Sequence, residues 1–218
     1  MRKRLTRTLT TGVAAAAVLL ASTIATTTQA SAARHLGTRS LAAVLASDGD
    51  TFDRNWNDYD VLTQAVGAVL AAKPNSPVKV LADGNVALTA FLPTDRAFQL
   101  LAKDLTGKWY RSESQLFTGL AGLLGVDTIE AVLLYHVIPG ATIDSKAALA
   151  SDGAKLTTAL PGATIKVDVL SRRYRLIRLI DADRNDSDPL LNPCALDLNK
   201  GNKQIAHGIL LVLRPLDI

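Results

Sequence analysis

One cysteine in 218 residues narrows the ways this chain can be stable and active. A single thiol, Cys194, closes no internal disulfide, so the fold must stand on its core alone. Set in DPLLNPCALDL, with nothing nearby to acidify it, Cys194 reads as a small apolar residue rather than a reactive one. Catalytic signatures are just as scarce. There is no GxSxG elbow, no glycine-rich phosphate loop after a strand and no HExxH spacing. The sequence therefore gives no support for an enzyme. It also contains no long Pro/Gly/Ser linker, no internal repeat and no C-terminal hydrophobic tail, as expected of one domain.

A charge excess is missing as well, once its source is located. The chain has 24 Lys+Arg against 20 Asp+Glu, but residues 1–32 hold four basic residues (Arg2, Lys3, Arg4, Arg7) and no acid. That segment has the order of a secretory leader: a basic start, the apolar GVAAAAVLLASTIA, then small residues with Ala30-Ser31-Ala32 as the cleavage site. Its apolar centre is too short to span a bilayer comfortably. The remainder balances at 20 of each sign, which removes any basic field for nucleic acid or an anionic membrane. The expected organisation is a leader over 1–32, a tail over 33–39 and one secreted domain over 40–218, with no membrane insertion after cleavage.

Hydrophobic spacing then sets the elements. Ser40 caps a short helix through LAAVLA, and Val61, Leu62, Ala65, Val66, Val69 and Leu70 predict a second helix from Asp60. VKVLADGNVALTAFLP reads as two β-prone runs around the turn Asp83-Gly84-Asn85. At Pro93 the second run gives way to a helix: Thr94 is the cap, Asp95 the acid at its positive end, and Phe98, Leu101, Ala102 and Leu105 its apolar face. Helical spacing returns over 113–138 in two pieces broken near Gly125. Beyond Pro139-Gly140 the pattern turns to β, with ATI, KLTTAL, ATIKVDVL, YRLIRLI and QIAHGILLVL as strands. Helices first and strands second argue for an α+β fold with a mostly antiparallel or mixed sheet.

Three groups of residues are candidates for chemistry. His136 and His207 sit in apolar segments without a third ligand at metal spacing, so they read as structural histidines whose ring nitrogens hold neighbouring polar groups. DADRNDSDP puts Asp181, Asp183, Asn185 and Asp188 at alternate positions, as a Ca²⁺ loop would. Asp186 and Asn192 stand where a helix–loop–helix calcium site demands Gly and Glu, however, and a solvated acidic turn is the plainer reading; Asn185-Asp186-Ser187 is also a glycosylation sequon. Aromatics make up 5% of the chain. Trp56, Tyr59, Trp109 and Tyr110 read as core or core-edge residues before a ligand face.

Three segments in order resemble the fasciclin (FAS1) domain family. AFLPTDRAF is similar to its first box, with Phe91, Pro93, Thr94, Asp95, Ala97 and Phe98 matching. LLYHVIPG is similar to its central Tyr-His segment, and NKQIAHGILLVLRP, with His207, to its closing segment. The resemblance covers roughly 40–218. It implies a β-sandwich-like wedge with a packed helical layer, and a secreted, non-enzymatic binding module of bacterial type. Its partner would be an extracellular protein or polysaccharide, in cell adhesion or polymer association, with no cofactor. Tyr135 and His136 fall in the region tied to adhesion in some members and are the expected binding residues. The alternatives are a calcium-dependent carbohydrate or small-molecule binder using the 181–188 loop and, behind it, an exported hydrolase.

Overall fold

The fold comes from a computed structural model and is described for residues 35–49 and 51–216; the leader expected over 1–32 lies outside them. The helices are α1 (Leu41–Asp48), α2 (Asp60–Ala72), α3 (Asp95–Thr106), α4 (Glu113–Tyr135) and α5 (Ser145–Ala150). The strands are β1 (Leu88–Pro93), β2 (Val137–Pro139), β3 (Lys155–Thr157), β4 (Thr164–Ser171), β5 (Leu176–Ile180) and β6 (Gln204–Ile209). They form two three-stranded sheets, ordered β2-β1-β6 and β3-β4-β5. β1 runs antiparallel to β2 and parallel to β6, whereas the second sheet is antiparallel throughout. This is the α+β architecture expected, with a mixed first sheet.

Strand alternation explains how the layers stack. Successive side chains of a strand point to opposite faces. Leu88, Ala90 and Leu92 of β1 therefore join the core under α1–α4, while Phe91 joins the core formed with Ile165, Val167, Ile177 and Leu179 of the second sheet. The first sheet is thus covered on both faces, and β1 and β6 are buried at every position. The second sheet is covered on one face only, and β4 alternates exposed Thr164 and Lys166 with buried Ile165 and Val167. On its open side Asp168 and Arg178 face each other across the strands at 2.5 Å, a cross-strand pair of opposite charge.

Several expectations change. PVKVLA is not a strand but a 3₁₀ segment, Pro77–Ala82. Ser76 accepts a hydrogen bond from the Val78 amide, Pro77 starts the turn, and Val78 and Leu81, three apart, supply its buried face. ATI is not a strand either, because its polar groups are held by side chains: Thr89 Oγ1 donates to Ala141 O at 2.7 Å and accepts from Ile143 N at 2.8 Å. Asp144 caps α5, a helix absent from the sequence reading. Helix α4 stops at Tyr135, so Val137 and Ile138 belong to β2; its predicted break is at Gly125, where φ is 71°. Long and apolar enough to cross a membrane, α4 packs here on α2 and α3.

Among the described residues of the expected 33–39 tail, Gly37 is held by backbone hydrogen bonds. Gly37 N donates to Gly201 O at 2.8 Å, and Gly37 O accepts from Lys203 N at 3.0 Å. Cys194 is exposed.

Two glycines test this packing in opposite directions. A β-carbon at Gly208 would lie 2.7 Å from Ala195 Cβ and 2.8 Å from Tyr59 Oη, whereas one at Gly67, exposed in mid-α2, would meet nothing within 4 Å. Gly208→Ala should destabilise the fold by about 1–3 kcal/mol through overpacking. Gly67→Ala should stabilise it by about 0.5–1 kcal/mol through backbone entropy and helix propensity. Urea denaturation of the two variants against the parent chain checks both signs.

Candidate functional site

The three motif segments meet in one place. AFLPTDRAF supplies β1 and the start of α3, LLYHVIPG supplies the end of α4 and β2, and NKQIAHGILLVLRP supplies β6 with the chain beyond it. They are the three strands of the first sheet, with β1 in the middle.

At the first segment Thr94 caps α3, its hydroxyl 3.4 Å from the Ala97 amide. Asp95 does more than face the helix dipole. It is fully buried, and its Oδ1 accepts the Val61 amide of α2 at 3.0 Å. The backbone amides of Asp95 and Arg96 donate to Asp58 O and Trp56 O, so the corner also grips the loop before α2. Burial first, and then the adjoining Asp58 carboxylate, push the Asp95 carboxyl well above the usual carboxylate range.

Tyr135 and His136 are brought together, but inside. Tyr135 is fully buried and its hydroxyl donates to Thr164 O at 3.0 Å, tying α4 to β4. Burial raises its phenol further above its ordinary value. The His136 ring is also buried. Its Nδ1 lies 2.7 Å from Val132 O and so carries the proton, while Nε2 accepts the Leu213 amide at 3.1 Å. With both nitrogens used, the ring is neutral, and burial holds it down at about 4. Neither side chain presents an atom to a partner.

His207 is 1% exposed and is used in the same way. Its Nε2–H donates to Ile143 O at 2.8 Å and its Nδ1 accepts the Asp197 amide at 3.2 Å. Burial lowers its basicity too. Its ring packs 6.4 Å from Phe91 on the neighbouring strand. The two histidines stand in separate hydrogen-bond settings.

The acidic loop has a counter-ion that the sequence did not reveal. Arg214, 7% exposed, reaches into it, pairing with Asp104 at 2.7 Å, Asp186 at 3.1 Å and Asp183 at 3.4 Å. The expected ligand oxygens cap backbone instead. Asp181 Oδ1 accepts from Asp183 N, Asp183 Oδ1 from Asn185 N, and Asp188 Oδ1 from Asp181 N, at 3.0 to 3.2 Å. Alternate aspartates here build successive Asx turns around a guanidinium. Among the described residues, the carboxylates spaced for a metal are elsewhere, at Asp53, Asp58, Asp60, Asp95 and Glu113. The sequence reading missed Glu113, whose one available signal is its place just after Ser112 at the start of α4, and Arg214, thirty-one residues past Asp183, which has no local signal.

Of the aromatic residues, Trp56, Tyr59 and Tyr110 pack half-buried against the helical core. Trp109 is 48% exposed. Between the two indoles lies Arg96, its guanidinium 5.6 Å from each ring centroid.

Comparison with known proteins follows the same lines. The model of the family described as "Fasciclin domain" matches residues 61–188, more than half of the chain. Among solved structures, the FAS1 domain pair of the insect cell adhesion molecule Fasciclin I is similar, with a TM-score of 0.52 at 16% identity. The alignment covers 82% of this chain and 51% of that one, so the chain spans about half the length of that structure. No curated protein matches. The family match stops before β6, and the structure adds the third segment to it.

The His136 geometry has a pH consequence. Its folded value is depressed to about 4 from an ordinary 6.5, so between those limits the unfolded chain binds a proton that the folded chain refuses. The stability it supports is fully present above about pH 6.5 and is lost as pH falls through 4, amounting to about 3 kcal/mol. His136→Phe should be less stable at neutral pH, because the Leu213 amide is orphaned at a cost of about 1–3 kcal/mol. The gap between wild type and variant should narrow on going from pH 7.5 to pH 4, as read from urea denaturation at each pH.

Proposed function

The chain belongs to the fasciclin domain family, and from that premise we propose that it is a secreted binding module engaging an extracellular protein or polysaccharide in adhesion or polymer association. Fasciclin domains are in general adhesion-related binding modules, and this is the observation that carries the reading. The secretory pattern of residues 1–32 supports the location. The polar groups of the motif segments support binding rather than turnover: His136, His207 and Tyr135 each hold neighbouring backbone and so are committed to the fold.

Tyr135 and His136 enter this reading as supports, since contact requires exposed atoms. Trp109, with Arg96 stacked between it and Trp56, offers an aromatic surface braced by a cation, the kind of rigid anchor that dominates recognition surfaces. Immobilised protein should bind cell-surface or extracellular-polymer fractions saturably. Trp109→Ala should weaken that binding at least about tenfold with an unchanged melting temperature. Tyr135→Phe should lower stability and leave affinity alone. Absence of saturable binding to every fraction overturns the proposal.

A further inference from the structure

The helices α2, α3 and α4 each begin with an acidic residue, Asp60, Asp95 and Glu113 respectively, and these three starts converge on the loop carrying Asp53 and Asp58. Carboxylate oxygens of Asp58, Asp95 and Glu113 all lie within 4.8 Å of one another, as do those of Asp53, Asp58 and Asp60. Asp95 and Glu113 are both 0% exposed. Neither oxygen of Glu113, nor Oδ2 of Asp95, has a protein donor, and the Asp95 carboxyl meets that of Asp58, which bonds to it only where one of the two holds a proton. The Asp53 amide faces Glu113 without reaching hydrogen-bond geometry.

Nothing positive offsets these two carboxylates among the described residues. The charged groups that face them are one another and Asp53, Asp58 and Asp60, all acidic. Arg96, beside Asp95 in sequence, is directed to the two indoles and donates to Gln99. Three helix N-termini supply roughly half an elementary charge each, well short of five carboxylates. Buried carboxyls keep a proton, pair with a cation or coordinate a metal.

We propose that this cluster is a binding site for a hard divalent cation, Ca²⁺ foremost, held by Asp58, Asp95 and Glu113 with Asp53 at its mouth. Carboxylate oxygens are the ligands such ions take. Ca²⁺–O distances of about 2.3–2.6 Å allow ligand oxygens up to about 4.6–5.2 Å apart, so oxygens within 4.8 Å of one another can meet around one such ion. Half-buried Asp58 and exposed Asp53 mark the route from solvent. An ion here would join the starts of three helices, so its binding adds to stability by mass action. The site is independent of the binding function above and of the acidic loop at 181–188.

The test is thermal melting of the purified chain after EDTA stripping, with Ca²⁺ returned. At a concentration about ten times Kd, the melting temperature should rise by roughly 3–6 °C, with Kd near the range of about 10⁻⁴–10⁻³ M of extracellular calcium modules. Tb³⁺ should occupy the same site and emit on tryptophan excitation. Ca²⁺ should displace that emission, and Trp56→Phe should diminish it. Glu113→Gln should abolish the Ca²⁺ shift while melting, without metal, no lower than the parent. Asp188→Asn, in the 181–188 loop, should retain the shift. No shift and no displaceable Tb³⁺ emission at about 10 mM Ca²⁺, a shift that survives Glu113→Gln, or one abolished by Asp188→Asn would each overturn the proposal. Should Glu113→Gln fail to fold, Asp58→Asn, at a half-buried position, takes its place under the same criteria.

Discussion

Strand β1 is buried at all six of its residues, and most of the architecture follows from having to satisfy it there. Each of its backbone donors and acceptors needs a partner that water cannot supply. Two strands do this, β2 along one edge and β6 along the other. Neither is a neighbour in sequence, so both must be brought back from long excursions through α4 and through the second sheet. What resembles a family signature in three separate stretches is therefore a single object, a central strand with its two flanking strands, and the residues that stand out are those that fasten the flanks.

The histidines serve this purpose because a neutral imidazole has one donor and one acceptor on opposite sides of a small ring. His136 ends α4 and turns the chain into β2; its donor returns to the helix and its acceptor takes the amide of Leu213. His207, on β6, bridges the loop at Ile143 and the loop at Asp197. Gln204 performs the same task with an amide, accepting from Leu41 N and donating to Val80 O and Asp83 O. Loops that cross a covered sheet would otherwise strand their own polar groups. Such residues look like a catalytic or ligand set in sequence, since they are polar, sparse and set in apolar runs, and only their partners distinguish the cases.

The amphipathic helices were legible because their pattern is carried by the residues themselves. Asp60 to Ala72, the break at Gly125 and the Thr94 cap were readable in this way, as were β4 and β5. The failures occurred where distant groups decide the backbone. ATI is β-branched and apolar, yet Thr89, some fifty residues earlier, takes up its amide and carbonyl. PVKVLA has β propensity, yet its Ser-Pro start and the spacing of Val78 and Leu81 favour a 3₁₀ turn. The acidic loop matched a cation site only in its alternation and read more plainly as a solvated turn; Arg214, which fills it, is not visible locally. Conversely, the carboxylates that do converge come from four places in the chain, and no local spacing unites them.

AFLPTDRAF shows why a structural explanation of a residue need not exhaust it. Capping accounts for Thr94 and for one oxygen of Asp95. It leaves the other oxygen buried and without a protein donor, facing Asp58 and Glu113. An asparagine at 95 would keep the acceptor for Val61, and a glutamine at 113 would give up no protein hydrogen bond, so local hydrogen bonding calls for a carboxyl at neither position. Sequences break their own local rules mainly where some further demand is met. Here that demand is concentrated where three helices begin, beside the corner that most clearly identifies the fold.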